Sequence, residues 1–189
     1  MKNKYIYLLL IAICCATSTN AQSLKDLILI MPQSVCPLLS EYNKLEIVDN
    51  QKNNKALQTR NSFQTVSEMK VLTDDFAFLK TTKNTEKTFK LLTTADGEKL
   101  IIVVSTVYID DKPDSSVELY DTNWTSLDAS TIIDEPKSST FRYIELHQND
   151  MQMNIITGNP LAIKTDGTLD IPKVETTKET KEWKGRKFE

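Results

Sequence analysis

Cys36 and His147 are the two side chains on which nucleophilic chemistry could be built, because a thiol becomes reactive once a neighbouring imidazole takes its proton. They lie far apart in the chain, and no local signature surrounds either. The alternative is plain packing: Cys36 as a small apolar residue beside a helix, and His147 as a rim residue near a strand end. His147 is the only histidine, and Cys36 is the only cysteine beyond Cys14 and Cys15. Structural zinc usually takes four Cys or His ligands, so that chemistry lacks material. Four glycines in 189 residues leave little from which to build a phosphate-cradling loop. These residue types assign no catalytic, cofactor-binding or metal-ligating residue, and no cofactor is expected.

Carboxylates are more plentiful. Asp110, Asp111 and Asp114, with Glu118 nearby, crowd one segment and could offer oxygen ligands to calcium. The segment lacks the alternation and central glycine of a calcium loop, so a solvated charged turn is the competing reading. Asp74-Asp75 reads the same way. Glycoside hydrolysis needs two carboxylates facing each other across a cleft, and the sequence offers no pairing to test. Trp124, Trp183, Tyr108, Tyr120 and Tyr143 could form a sugar-stacking or partner-binding surface. As core or half-buried strand residues they would do neither.

The elements that would position these groups follow from periodicity. Leu24, Leu27, Ile28 and Met31 recur at helical spacing until Pro32. A second helix is expected with Ser34 as its cap and Pro37 in its first turn. Leu38, Tyr42 and Leu45 would form its buried face, with Glu41, Lys44 and Glu46 turned away. From Phe63 the period becomes two. Met69 and Val71, then Phe76 and Phe78, alternate either side of Thr73-Asp74-Asp75. Thr88 to Thr93 leads to an Asp96-Gly97 turn. Leu100 to Val104 is a continuous apolar run, which suits a central strand covered on both faces. Val117 and Leu119 continue the pattern to Trp124. Phe141 to Leu146 and Met151 to Ile156 are further strands, and Asp166-Gly167 marks a hairpin. Trp183 to Phe188 reads as a last strand and turn, despite the charged tail around it.

Short turns between many strands point to an α+β fold: two N-terminal helices packed on a mainly antiparallel, meandering sheet. Residues 1–21 read as a signal peptide. Lys2 and Lys4 precede an apolar run from Tyr5 to Cys15, and Thr19-Asn20-Ala21 supplies small residues before a cut at Gln22. The run is too short for a span, which needs about 20 residues. Ile13 before Cys14, and Cys14 before Cys15, lack the small residue of a lipoprotein signal. Residues 22–189 then form a single α+β domain. Removing 21 of 189 residues leaves 168, and takes two lysines and no acid. The net charge moves from −3 to −5, which argues against nucleic acid as partner. With Cys36 alone, no intrachain disulfide can form.

The segments Leu29-Ile30-Met31-Pro32-Gln33-Ser34-Val35-Cys36-Pro37, Glu68-Met69-Lys70-Val71-Leu72-Thr73-Asp74-Asp75 and Leu119-Tyr120-Asp121-Thr122-Asn123-Trp124 carry a resemblance. Together with Leu100 to Val107 and the closing Trp183 to Phe188, they resemble secreted Bacteroidales proteins of domain-of-unknown-function family 3256. The likeness covers the mature chain and departs after Pro136, where this sequence is shorter and more polar. It implies a bacterial, exported protein and brings no catalytic residues.

The composite expectation is an exported protein, periplasmic or extracellular and not a lipoprotein. It would be a non-catalytic interaction module binding an envelope protein or glycan. The alternatives are a hydrolase of envelope polymers and a self-associating subunit that pairs through a sheet edge. The leader makes a direct prediction: intact-mass analysis of protein exported by its host should give a chain beginning at Gln22. Retention of Met1 or a lipid mass at Cys14 or Cys15 would refute it.

Overall fold

The computed structural model of the protein describes residues 22–109, 112–134, 141–158, 162–163, 169–170 and 176–189. The leader, Asp110 and Asp111, Pro136 with the residues just after it, and the Asp166-Gly167 turn all lie outside the described residues.

Helix α1 (Leu24–Ile30) starts from a reciprocal capping box in which Ser23 and Asp26 satisfy each other's backbone N–H groups. Its Leu24, Leu27 and Ile28 are fully buried, and Pro32 follows shortly after its end. Helix α2 (Glu41–Lys52) departs from expectation. Its cap is Ser40, again in a capping box, with Asn43. The stretch around Pro37 is instead a pair of tight turns, with Val35 N–H donating to the Pro32 carbonyl and Leu39 N–H to that of Cys36. Its buried face is rotated as well. Asn43, Lys44, Ile47 and Val48 point inward, while Tyr42 and Leu45 are 72% and 58% exposed. The polar pair is tolerated inside because its tips are used. Asn43 Nδ2 donates to Thr59 Oγ1 at 2.6 Å and to the Arg60 carbonyl at 2.8 Å. Lys44 Nζ donates to the Met31 carbonyl, and burial lowers its pKa.

Seven strands follow as an uninterrupted antiparallel meander: β1 (Gln58–Arg60), β2 (Val66–Leu72), β3 (Phe76–Lys80), β4 (Thr85–Thr93), β5 (Lys99–Ile109), β6 (Lys112–Asp121) and β7 (Ser126–Leu127). Strands β8 (Arg142–Leu146) and β9 (Gln152–Thr157) belong to a second sheet. A short antiparallel pair, β10 (Ala162–Ile163) and β11 (Leu169–Asp170), flanks the expected Asp166-Gly167 hairpin. Strand β12 (Thr177–Glu182) then completes the second sheet in the order β12-β9-β8. The coarser expectation holds: two helices and antiparallel strands. A single sheet was expected, and the strands among the described residues divide among three.

Both faces of the large sheet are apolar. Ile101 to Val104 on β5 are each at most 1% exposed, so the continuous run does mark a strand covered on both sides. Ile101 and Val103 share a cluster with α1, α2, Phe89, Leu91, Tyr120 and Trp124. Ile102 and Val104 share another with Ile144, Leu146, Met153, Ile155, Trp183 and Phe188. A bulge between Met69 and Val71 shifts the register against β3. Met69 and Leu72 therefore reach the helix-side cluster, whereas Val71 packs against the other one. Simple alternation places Met69 and Val71 on one face; the extra residue reverses that.

Each tryptophan ties one cluster to a distant backbone. Trp124 Nε1 donates to the Leu27 carbonyl of α1 at 2.9 Å, and its ring meets Phe89 edge-on with centroids 6.4 Å apart. It holds a left-handed φ of 62°, in a turn where the Asp121 carboxylate accepts the N–H groups of Asn123 and Thr125. Such a conformation costs about 1–3 kcal/mol for a residue other than glycine, offset by burying the indole. Trp183 Nε1 donates to the Thr93 carbonyl at 2.7 Å. Next to it Gly185 has φ 82°, and a side chain there would meet the Ala95 nitrogen at 3.0 Å.

The Trp124 bond is testable. Trp124→Phe keeps most of the ring but leaves the Leu27 carbonyl without its donor, which should cost about 1–3 kcal/mol. Urea unfolding should show a lower midpoint with the slope preserved. An unchanged midpoint would mean that the bond contributes nothing.

Candidate functional site

Where the two sheets meet, a cleft of about 400 Å³ opens. Its floor is Val71 of β2 with Phe76 and Phe78 of β3. Glu86 and Thr88 of β4 form one wall, and Tyr143, Glu145, His147 and Asn154 of the second sheet form the other. Alternation explains the first wall. On β4, Phe89 and Leu91 belong to the helix-side cluster, so Glu86, Thr88 and Lys90 project to the opposite side with Leu92. On β8, Ile144 and Leu146 enter the core, and this turns Tyr143, Glu145 and His147 away from it.

The second sheet is held at this angle by polar contacts. Lys90, only 3% exposed, donates to Asp75 Oδ2 at 2.9 Å and to the Gln148 carbonyl at 2.9 Å, and lies over the Phe76 ring. It bridges the β2–β3 turn to the β8–β9 turn. At the outer edge of β8, Arg142 N–H donates to Asp114 Oδ1 and Ile144 N–H to Ser115 Oγ, each at 3.1 Å. Those side chains satisfy backbone groups that an edge strand would otherwise leave open.

Within the cleft the polar groups form a connected set. Tyr108 donates to Glu86 Oε1 at 2.8 Å. Burial, then the adjacent Glu86, raises the Tyr108 pKa well above the usual phenol range. Tyr143 is raised too, by burial and then by the charges of Glu145 and Glu86. Both carboxylates thus bear on one hydroxyl. Across β8 and β9, Asn154 Nδ2 donates to Glu145 Oε2 at 3.2 Å and lies 2.9 Å from His147 Nε2. Thr180 donates to Asn154 Oδ1, which fixes the amide's orientation. On the other side of the ring, His147 Nδ1 lies 3.1 Å from Asp150.

The residues singled out by chemistry separate. Cys36 is 1% exposed inside the helix-side cluster, where burial raises its thiol pKa. His147 flanks the cluster on the opposite face of the large sheet, so the two form no dyad. Asp74 pairs with Lys25 and Asp75 with Lys90. Of the acidic segment, Asp114 caps β8 and Glu118 accepts from Tyr120, whose pKa is pushed up to about 12 by burial and then by that carboxylate. Among the described residues no three His, Cys, Asp or Glu side chains gather as a metal site. Of the five aromatics, Trp124, Trp183 and Tyr120 are buried, while Tyr108 and Tyr143 meet at the cleft. Glu86, Glu145 and Asn154 escape sequence reasoning, because the fold brings Glu145 and Asn154 of the second sheet to Glu86 across 59 or more residues of chain.

A family model described as "Protein of unknown function (DUF3256)" matches residues 16–179. The chain belongs to this family. The expected kinship is therefore correct. No curated protein matches the chain. Its fold is similar to that of a domain of an uncharacterized protein from Porphyromonas gingivalis, with a TM-score of 0.69 at 16% identity. The match covers 88% of this chain and 96% of that one. Among the described residues, no helix is long and apolar enough to cross a membrane.

The Lys90 bridge gives a pH prediction. Burial alone would raise the Asp75 pKa, but bonds from Lys90 and Thr73 outweigh it and hold it below its usual 3.8. A depressed carboxylate stabilises the fold above its unfolded pKa, and that contribution fades as pH falls through the lower folded value. Asp75→Asn should therefore be less stable than the parent at neutral pH, with the gap closing below about pH 4. A gap independent of pH would refute the charge pairing.

Proposed function

We propose that the protein is an exported, non-catalytic interaction module of the bacterial envelope or its surroundings, binding a protein or glycan through this cleft. The mixed lining supports this reading. A recessed apolar floor with a few convergent polar groups is how ligand sites are commonly built. Here phenylalanines supply contact area, while Glu86, Glu145 and Tyr143 supply orientation. The leader read in residues 1–21 supports export to the periplasm or beyond. In this proposal residues 22–189 form one domain, and the two helices pack as a layer on the large sheet, behind the cleft. The β12 edge is partly closed, since Glu182 and Glu189 exchange both backbone hydrogen bonds; this weakens self-association through that edge.

One observation favours the hydrolase alternative: two carboxylates, Glu86 and Glu145, share the cleft. The readings diverge under substitution. If the protein binds without turnover, the exported chain should retain envelope glycan or protein fractions intact. Tyr143→Ala should then reduce retention by about tenfold without changing the melting temperature. Cleavage of an envelope polymer that Glu86→Gln abolishes, with the fold intact, would replace the binding module by an enzyme.

A further inference from the structure

The charge state of the cleft narrows its occupant. Glu86 and Glu145 are half-buried, and among the described residues their donors are neutral: the Tyr108 hydroxyl for one and the Asn154 amide for the other. Among the described residues, neither takes part in an ion pair of the kind that Lys90 makes with Asp75. Lys90, buried over the Phe76 ring, is committed to Asp75 and the Gln148 carbonyl. Lys80 stands opposite Glu86 in the β3–β4 ladder but is exposed and forms no ion pair with it. Among the described residues, no cation pairs with either carboxylate at this opening, which lies above a floor of Val71, Phe76 and Phe78.

We infer that the cleft receives a lysine or arginine side chain of a protein partner. Its methylenes lie along Phe78 and Val71, and its charged head sits between Glu86 and Glu145. This deepens the interaction-module reading and rests on it. The complementarity is chemical. A long cationic side chain buries its apolar stem while presenting several donors at its tip. Each head-to-carboxylate bond is charge-assisted and shielded from bulk water. A neutral sugar would leave both carboxylates without a counter-charge; an anionic ligand would be repelled by them.

The test uses the exported chain and defined probes observed by NMR. The probes are N-acetyl-lysine methylamide, its arginine and norleucine counterparts, and a neutral N-acetylglucosamine oligomer. The expected result is that the two cationic probes move the amide signals of Tyr143, Glu145 and His147, and norleucine does not. Glu145→Gln and Glu86→Gln should each weaken that binding by about tenfold, and added salt should weaken it further. If norleucine or the neutral oligomer perturbs the same signals equally, and the Gln variants are indifferent, the cationic occupant is wrong while the binding cleft stands. If no probe perturbs these signals, both the occupant and the cleft reading fall. Melting curves of both Gln variants check that loss of binding is not loss of fold.

Discussion

Ile101 to Val104 impose the central constraint. Successive side chains of a strand point to opposite faces, and all four are buried, so the large sheet must be covered twice. Each such side chain contributes about 1.5–3 kcal/mol when removed from water, and leaving either face wet would forfeit two of them. The helix-side cluster answers one face and the second sheet answers the other. The two tryptophans mark the same division, since each indole N–H reaches a backbone carbonyl across its own cluster. Trp124 does so at the cost of a left-handed backbone, a cost sustained by its burial between Phe89 and Tyr120.

The cleft follows from how the second cover sits. A three-stranded sheet cannot blanket seven strands, so among the described residues the cleft opens on β2–β4 beside it. Lys90 and the Asp114 and Ser115 side chains hold the edge of that smaller sheet at its angle. The polar groups of the cleft come from residues that the core excludes. Glu86 and Thr88 are the opposite-face partners of Phe89, and Tyr143, Glu145 and His147 alternate with Ile144 and Leu146. Core packing and site geometry are thus two consequences of the same strand periodicity.

Most of the elements were legible because their signals are local. The Pro32 stop, the Asp96-Gly97 turn with its positive φ at Gly97, and the apolar run of β5 each carry a short-range physical cause. Helix α2 misleads because apolar residues occur on two of its faces, Tyr42 and Leu45 on one and Ile47 and Val48 on the other. Its choice was made by partners on other elements: the Thr59 hydroxyl, the Arg60 carbonyl and the Met31 carbonyl, which satisfy Asn43 and Lys44. The β2 bulge misleads in the same manner, since alternation cannot signal one extra residue. Of the site, Tyr108, Tyr143 and His147 could be named as types with chemistry, but their grouping with Glu86 and Glu145 could not.

By itself, then, the amino-acid order determined the family, the two helices, the antiparallel habit of the strands and which strand is buried on both faces. Caps, turns and hydrophobic period are properties of neighbouring residues, so they can be read without a fold. Tertiary structure alone decided that the strands split among sheets, that Cys36 and His147 flank opposite sides of the large one, and that two carboxylates converge on Tyr143. Those are relations between segments distant in sequence, and packing brings such segments together through shape and burial rather than through any local pattern.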